Sequence, residues 1–256
     1  MKVAALDFDG TLHHPPQGFR EEDIAAIDAW RNAGHLVISA TGRSRSALAY
    51  AMTDSALRFD YRVLSNGGSA TTGDGTELIY GYDIDGDILR AVLSQFGTRE
   101  GLAIFGTTLG RIDGTFANTT GSDHPFTAHF TPMTDADIDH HRFAVIPVWV
   151  PDDEDLRAEV VAWAEGLGSV SVAQNQDYVD IMAPGRTKGS GIAELLSTVG
   201  FNRTDIELIT FGDSWNDLSM HDIADVSYSF PHSPLEVQQA TDHVVATVAE
   251  GLRRHM

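Results

Sequence analysis

Asp7 and Asp9 stand two residues apart where an apolar run, Val3-Ala4-Ala5-Leu6, gives way to Gly10-Thr11. An unbroken apolar run reads as a strand buried on both faces, as central parallel strands are. Carboxylates are out of place in such a core. Side chains two apart on a strand share a face, so the pair can converge above the strand's carboxyl end, unless a turn beginning at Asp9 redirects the second. In open α/β sheets that edge is where ligands bind. Close carboxylates repel and become tolerable around a cation, and hard oxygen ligands favour Mg²⁺. A carboxylate held beside Mg²⁺ can also act as a nucleophile. Gly10 lets the backbone turn tightly and expose its amides. The competing reading is an Asp-Gly turn carrying two solvated acids.

Three further stretches end apolar strands or open helices in the same way. Thr41-Gly42-Arg43 follows Leu36-Val37-Ile38, and Gly212-Asp213-Ser214-Trp215-Asn216-Asp217 follows the strand read over 206–211. Lys188 opens the helix read over 187–199 and is one of two lysines against fifteen arginines. A compact ammonium point charge is what Lys offers over Arg, although a count of two is also open to chance. Gathered at one sheet edge, these groups would present a carboxylate nucleophile, a metal site, a hydroxyl donor and an ammonium. Phosphoryl transfer is mostly positioning and charge neutralisation, and it needs those parts. Asn216 and Asp217 are equally readable as residues of a helix start. Arg43 is either a substrate contact or the anchor of its loop, and Asn66-Gly67-Gly68 either a substrate contact or a turn.

The elements that must position these residues alternate along the chain. A helix over 21–32, with Ile24, Ile27 and Trp30 on one face, links the first two strands and stops at Gly34. A helix over 44–54 leads to a third strand, 62–65, and a hairpin turns at Gly73-Asp74-Gly75. This is the pattern of a parallel sheet. From about Tyr82 the alternation breaks. Helices over 87–96 and 152–166, strands over 102–107 and 143–150, a polar tract over 110–124 and a hairpin over 170–182 suggest an α+β insert. Pro147 inside its strand implies an edge or a bulge. The expected division is a core of 1–82 with 185–256, interrupted by an insert of 83–184.

Composition narrows the partners. With 42% hydrophobic and 21% charged residues the 256-residue chain reads as folded and soluble. It has no Cys, which removes disulfides and thiolate metal sites. No apolar stretch is long enough to span a bilayer, and Met1-Lys2 leads straight into the first strand, so a cytoplasmic protein is the expectation. A formal charge of −20 argues against nucleic acid. An anionic substrate must then be met by local cations or metal. The His13-His14 and His140-His141 pairs carry no metal reading, because sequence neighbours do not share a helix face. Nothing in the composition decides the oligomeric state.

Taken together, Asp-Phe-Asp-Gly-Thr at 7–11, Thr41-Gly42-Arg43, Lys188 and the 212–217 stretch resemble the four motifs of haloacid dehalogenase (HAD) superfamily phosphatases. The last motif and Asn66-Gly67-Gly68 resemble those of its Cof-type branch. The resemblance implies an α/β, Rossmann-like parallel-sheet core with an inserted α+β cap of the IIB-like kind. It implies Asp7 as nucleophile and Asp9 as general acid and base. Asp7, the Asp9 carbonyl and Asp213 would hold Mg²⁺, with Asp217 in support. Phosphoryl oxygens would fall to Gly10, Thr41, Gly42, Lys188 and Asn216, and substrate contacts to Arg43, Asn66 and Gly67. Thr41 follows Asp7 by only 34 residues, whereas 147 separate Lys188 from Thr41, so the insert belongs in the second interval. Phe230-Pro231-His232-Ser233-Pro234 stands where the resemblance calls for a Gly-Asn-Ala-like loop. The implied activity is hydrolysis of a small phosphorylated metabolite, a sugar phosphate or a flavin-pathway phosphate. A phosphomutase of the phosphomannomutase type and a non-catalytic phosphometabolite-binding protein are the alternatives.

Overall fold

A computed structural model describes residues 1–122 and 127–256. The chain forms two compact units. Met1–Gly42, Met52–Tyr80 and Thr187–Met256 make the first, and Arg43–Ala51 with Gly81–Arg186 the second.

In the first unit Lys2–Leu6 runs through the middle of an eight-stranded sheet. The strand order is His243–Val244, Val226–Ser229, Glu207–Phe211, Lys2–Leu6, Leu36–Ala40, Tyr61–Leu64, Ser69–Thr72 and Leu78–Gly81. The first six are parallel, and Ser69–Thr72 turns back antiparallel on Tyr61–Leu64. The apolar runs are buried on both faces, as strands covered by helices must be. Glu21–Asn32 buries Ala26, Ile27 and Trp30. Lys188–Thr198 lays Ile192, Leu195 and Leu196 against Val3, Ala5, Ile38, Val63 and Leu208.

The start of Lys188–Thr198 is tightly specified. Thr187 caps it by accepting the Ser190 amide at 3.1 Å, and the Ser190 hydroxyl accepts the Thr187 amide at 3.0 Å. Gly67, at φ 90°, lies so close beneath that a Cβ would come within 2.1 Å of the Thr187 carbonyl oxygen. Gly67 therefore sets how near the helix start approaches the end of the third strand.

The second unit carries a six-stranded sheet in the order Thr131–Pro132, Gly114–Asn118, Ala103–Thr108, Phe143–Trp149, Tyr178–Met182 and Ser171–Asn175. Helices Gly86–Phe96 and Glu154–Gly166 bury Leu89, Val92, Phe96, Leu156 and Val160 with Ile104, Ile146, Val148 and Ile181 of the strands. Pro147 lies in the interior strand Phe143–Trp149 and not at an edge. Its missing donor is tolerated because the pairing with Ala103–Thr108 is irregular between Phe143 and Val148. Arg45–Ala51 joins this unit through Ser44 and Ser46, whose hydroxyls donate to the buried Asp113 carboxylate, which also accepts the Thr108 amide at 2.8 Å. The polar tract read over 110–124 contains the strand Gly114–Asn118, and its residues 123 and 124 lie outside the described residues. Among the described residues no helix is long and apolar enough to cross a membrane.

Gly67→Ala combines an unfavourable φ with a collision against backbone, so it should lower unfolding stability by about 3 kcal/mol. Urea denaturation checks this; an unchanged midpoint would show that the helix start can move aside freely.

Candidate active site

Three adjacent parallel strands deliver the site. The Asp7 amide donates to the Phe211 carbonyl at 2.9 Å, carrying the pairing one residue past Lys2–Leu6. The Thr41 amide donates to the Val63 carbonyl at 3.0 Å and the Gly212 amide to the Tyr228 carbonyl at 3.1 Å. Asp7, Thr41 and Asp213 thus emerge at carboxyl ends of neighbouring strands, the edge where such sheets bind ligands.

Lys188 sits at the centre. Its Nζ donates to Asp7 Oδ1 and to Asp217 Oδ1, each at 2.6 Å, and all three side chains are almost wholly buried. The other Asp217 oxygen accepts the amides of Asp213 and Ser214, each at 2.9 Å, so this carboxylate ties Lys188 to the Asp213 loop. Gly212 and Gly10 make room. A Cβ on Gly212 would lie 2.4 Å from the Asp217 carboxyl carbon, and one on Gly10 would lie 2.3 Å from Asp213 Oδ2. Thr11 donates its hydroxyl to Asp213 Oδ1 at 3.3 Å.

One oxygen each from Asp7, Asp213 and Asp217 falls within 4.8 Å of the others. Asp7 Oδ2 is buried and has no hydrogen-bond partner among the described residues. A buried carboxylate oxygen without a partner is costly, and a cation shared with Asp213 would satisfy it. The donors are all hard oxygens, which suits Mg²⁺. Asp217 already spends both oxygens on Lys188 and two amides, so the free donors come from Asp7 and Asp213.

Burial, more than any neighbour, pushes the Asp7 carboxyl well above the usual range, against the pull of Lys188. Burial and then the Asp217 charge push Asp213 up to about 6. Burial by itself would lower the Lys188 ammonium, but Asp217 and Asp7 outweigh it and hold it above its ordinary value.

The remaining expected residues divide into groups. The Asp9 carboxylate does not share the Asp7 environment. The strand stops at Leu6, the turn redirects Asp9, and its partly exposed Oδ1 lies 3.4 Å from His13 Nδ1. The Gly10 amide donates to the His13 carbonyl at 2.9 Å. Thr41 is buried, and its carbonyl accepts the Asn66 amide at 3.0 Å. Gly42 packs against the Asn66 amide group, and Asn66 Oδ1 accepts from Asn216 Nδ2 at 3.1 Å. Gly67 supports the Thr187–Lys188 backbone. Arg43 belongs to the second unit, where its Nη1 donates to the Ala47 carbonyl at 3.4 Å. Two residues beside the site escaped the sequence reading. Thr11 was hidden inside the motif as an ordinary strand-to-turn residue, and His232 sits in the loop that departs from the expected pattern.

A sequence profile of haloacid dehalogenase-like hydrolases matches residues 4–252. The chain belongs to that family. Among curated relatives it resembles the HMP-PP phosphatase of Klebsiella pneumoniae (strain 342), 27% identical over 86% of this chain and 80% of the relative. The HMP-PP phosphatase of Escherichia coli O6:H1 is 25% identical with the same coverage. Among solved structures, a HAD subclass IIB sugar phosphatase superposes with a TM-score of 0.83 at 20% identity, covering 100% of this chain and 99% of that one. A haloacid dehalogenase-like hydrolase from B. subtilis gives 0.80 at 18% identity, covering 100% and 98%. At such identities the likeness establishes the fold.

The electrostatics of this haloacid dehalogenase-like site are testable without substrate. A carboxyl whose folded pKa is raised takes up protons on folding, so stability falls as pH rises through the window between its unfolded and folded values. For Asp213 that window runs from 3.8 to about 6. In EDTA, wild type should lose about 2 kcal/mol relative to Asp213→Asn across it. Parallel stability profiles for the two proteins would contradict the raised value.

Proposed function

We propose that the chain is a Mg²⁺-dependent phosphatase that hydrolyses a small phosphorylated metabolite through a phosphorylated Asp7. The observation that carries this reading is the state of Asp7: one oxygen held by Lys188 at 2.6 Å, the other buried beside Asp213 without a hydrogen-bond partner among the described residues. In this reading Lys188 fixes the carboxylate and leaves its second oxygen to substrate and cation. The names of the relatives, HMP-PP phosphatase and sugar phosphatase, support a small phosphorylated substrate.

In this reading an Asp7 oxygen attacks phosphorus, the bond to the leaving oxygen breaks, and Asp9 gives that oxygen a proton. Asp9 then takes a proton from water as the water attacks the phosphorylated Asp7, releasing phosphate and restoring the carboxylate. The partial exposure of the Asp9 carboxylate suits a group that must exchange protons with solvent. Asp7 and Asp213, with the Asp9 carbonyl, would hold Mg²⁺, and Asp217 would position Asp213 and Lys188. When bound, the ion supplies charge neutralisation for the transferring phosphoryl group. Lys188, Thr41 and Asn216 would meet the phosphoryl oxygens, assisted by the backbone at Gly10 and Gly42. The second unit, with Arg43, would choose the leaving group, and Asn66 would hold Asn216 in place.

Asp7→Asn should lower phosphate release from a generic phosphate ester by about a thousandfold or more while the circular-dichroism melt survives. Retained turnover removes Asp7 as the nucleophile. EDTA should silence the wild type and Mg²⁺ restore it; activity indifferent to chelation would refute the metal role of Asp213. A chain lacking 83–184 should keep a folded sheet and change its substrate preference, whereas an unfolded product would reject those domain limits.

A further inference from the structure

The loop 230–234 approaches the site from a direction that the proposed chemistry leaves unused. His232 places Nε2 2.9 Å from the Gly10 carbonyl oxygen. A carbonyl only accepts, so Nε2 carries the proton and the tautomer is set. The same nitrogen lies 3.9 Å from Asp213 Oδ2. Gly10 in turn presses its Cα so close to Asp213 that no Cβ would fit between them. Asp213 is thereby bounded by Thr11 at Oδ1, by Gly10 at its flank and by His232 near Oδ2.

The imidazole is itself firmly presented. Its ring stacks on Phe230 at 5.5 Å and 15°, and Phe230 is fully buried. Phe230 and Ser233 close the turn reciprocally, the Ser233 amide donating to the Phe230 carbonyl at 3.0 Å and the Phe230 amide to the Ser233 hydroxyl at 3.2 Å. Gln238 Nε2 donates to the Ser233 carbonyl at 2.8 Å. Trp215 Nε1 donates to Glu236 Oε2 at 2.9 Å, tying the following helix back to the motif that carries Asp213. The His232 side chain remains 47% exposed, so core packing does not account for its placement.

We infer that His232 is a positioning residue for the Asp213 carboxylate, acting through the Gly10 carbonyl to keep that carboxylate ready for a divalent cation. The inference rests on the Mg²⁺ reading of the site. Partners that orient a metal ligand typically change metal affinity 10–100-fold when removed, and a half-exposed residue acting through one carbonyl belongs at the lower end.

Mg²⁺ titrated into metal-free protein by calorimetry tests this without turnover. His232→Ala should weaken Mg²⁺ binding about tenfold, with the metal-free urea midpoint unchanged. His232→Gln, whose amide can still donate to Gly10, should recover most of the affinity. Should His232→Ala disturb the metal-free fold, the comparison of His232→Gln with His232→Leu carries the test, and equal affinities for those two overturn the inference. Wild-type affinity in His232→Ala overturns the role of His232 and leaves the metal reading standing. A wild type that binds no Mg²⁺ removes both.

Discussion

The site depends on a buried ammonium between two buried carboxylates. Lys188 touches Asp7 and Asp217 at equal distances, and all three side chains are almost wholly buried. Ions removed from water need partners of good geometry, and deleting one partner strands the others at a cost of several kcal/mol. The triad therefore works as a unit. It also divides the labour of the carboxylates. Asp217 spends its oxygens on Lys188 and on the amides of Asp213 and Ser214, so it is structural in its bonding. Asp7 spends only one, and its other oxygen is buried with no hydrogen-bond partner among the described residues.

Holding that triad requires close backbone approaches, and glycine provides them where side chains converge. Gly10 and Gly212 admit the carboxylates of Asp213 and Asp217, and Gly67 admits the Thr187 carbonyl at the start of the Lys188 helix. The approaches at Gly10 and Gly67 join segments far apart in the chain, and that at Gly212 folds its own loop back on itself. The parallel sheet supplies the common edge on which they meet, and the hydrophobic contacts of Ile192, Leu195 and Leu196 hold the Lys188 helix against it. The loop at 230–236 closes on the same edge through His232 and Glu236.

Much of this was legible in the sequence because it rests on periodicity and chain order. Buried apolar runs announced the strands, the acids and the hydroxyl sat at their ends, and Lys188 opened the helix that returns to them. The family match over 4–252 and the superpositions agree with the α/β fold expected from those runs. What escaped depends on partners distant in sequence. Pro147 left an edge or a bulge open, and only the irregular pairing with Ala103–Thr108 selects the second, in an interior strand. Gly67 reads as a substrate contact or a turn residue until Thr187 is placed above it. Strand alternation left Asp9 either beside Asp7 or redirected by a turn, and the structure has the turn, with Asp9 toward His13. His232 was visible only as an oddity of its loop. No periodicity links residue 232 to residue 10.

The central claim is that Asp7, fixed by Lys188, accepts the phosphoryl group. Rapid acid quenching during turnover of a phosphate ester, followed by mass-spectrometric peptide mapping, tests it most directly. The account predicts a transient, base-labile phosphoryl group on the peptide containing Asp7, appearing before free phosphate. Turnover with no phosphorylated peptide at any quench time, or with the label on another residue, would contradict it.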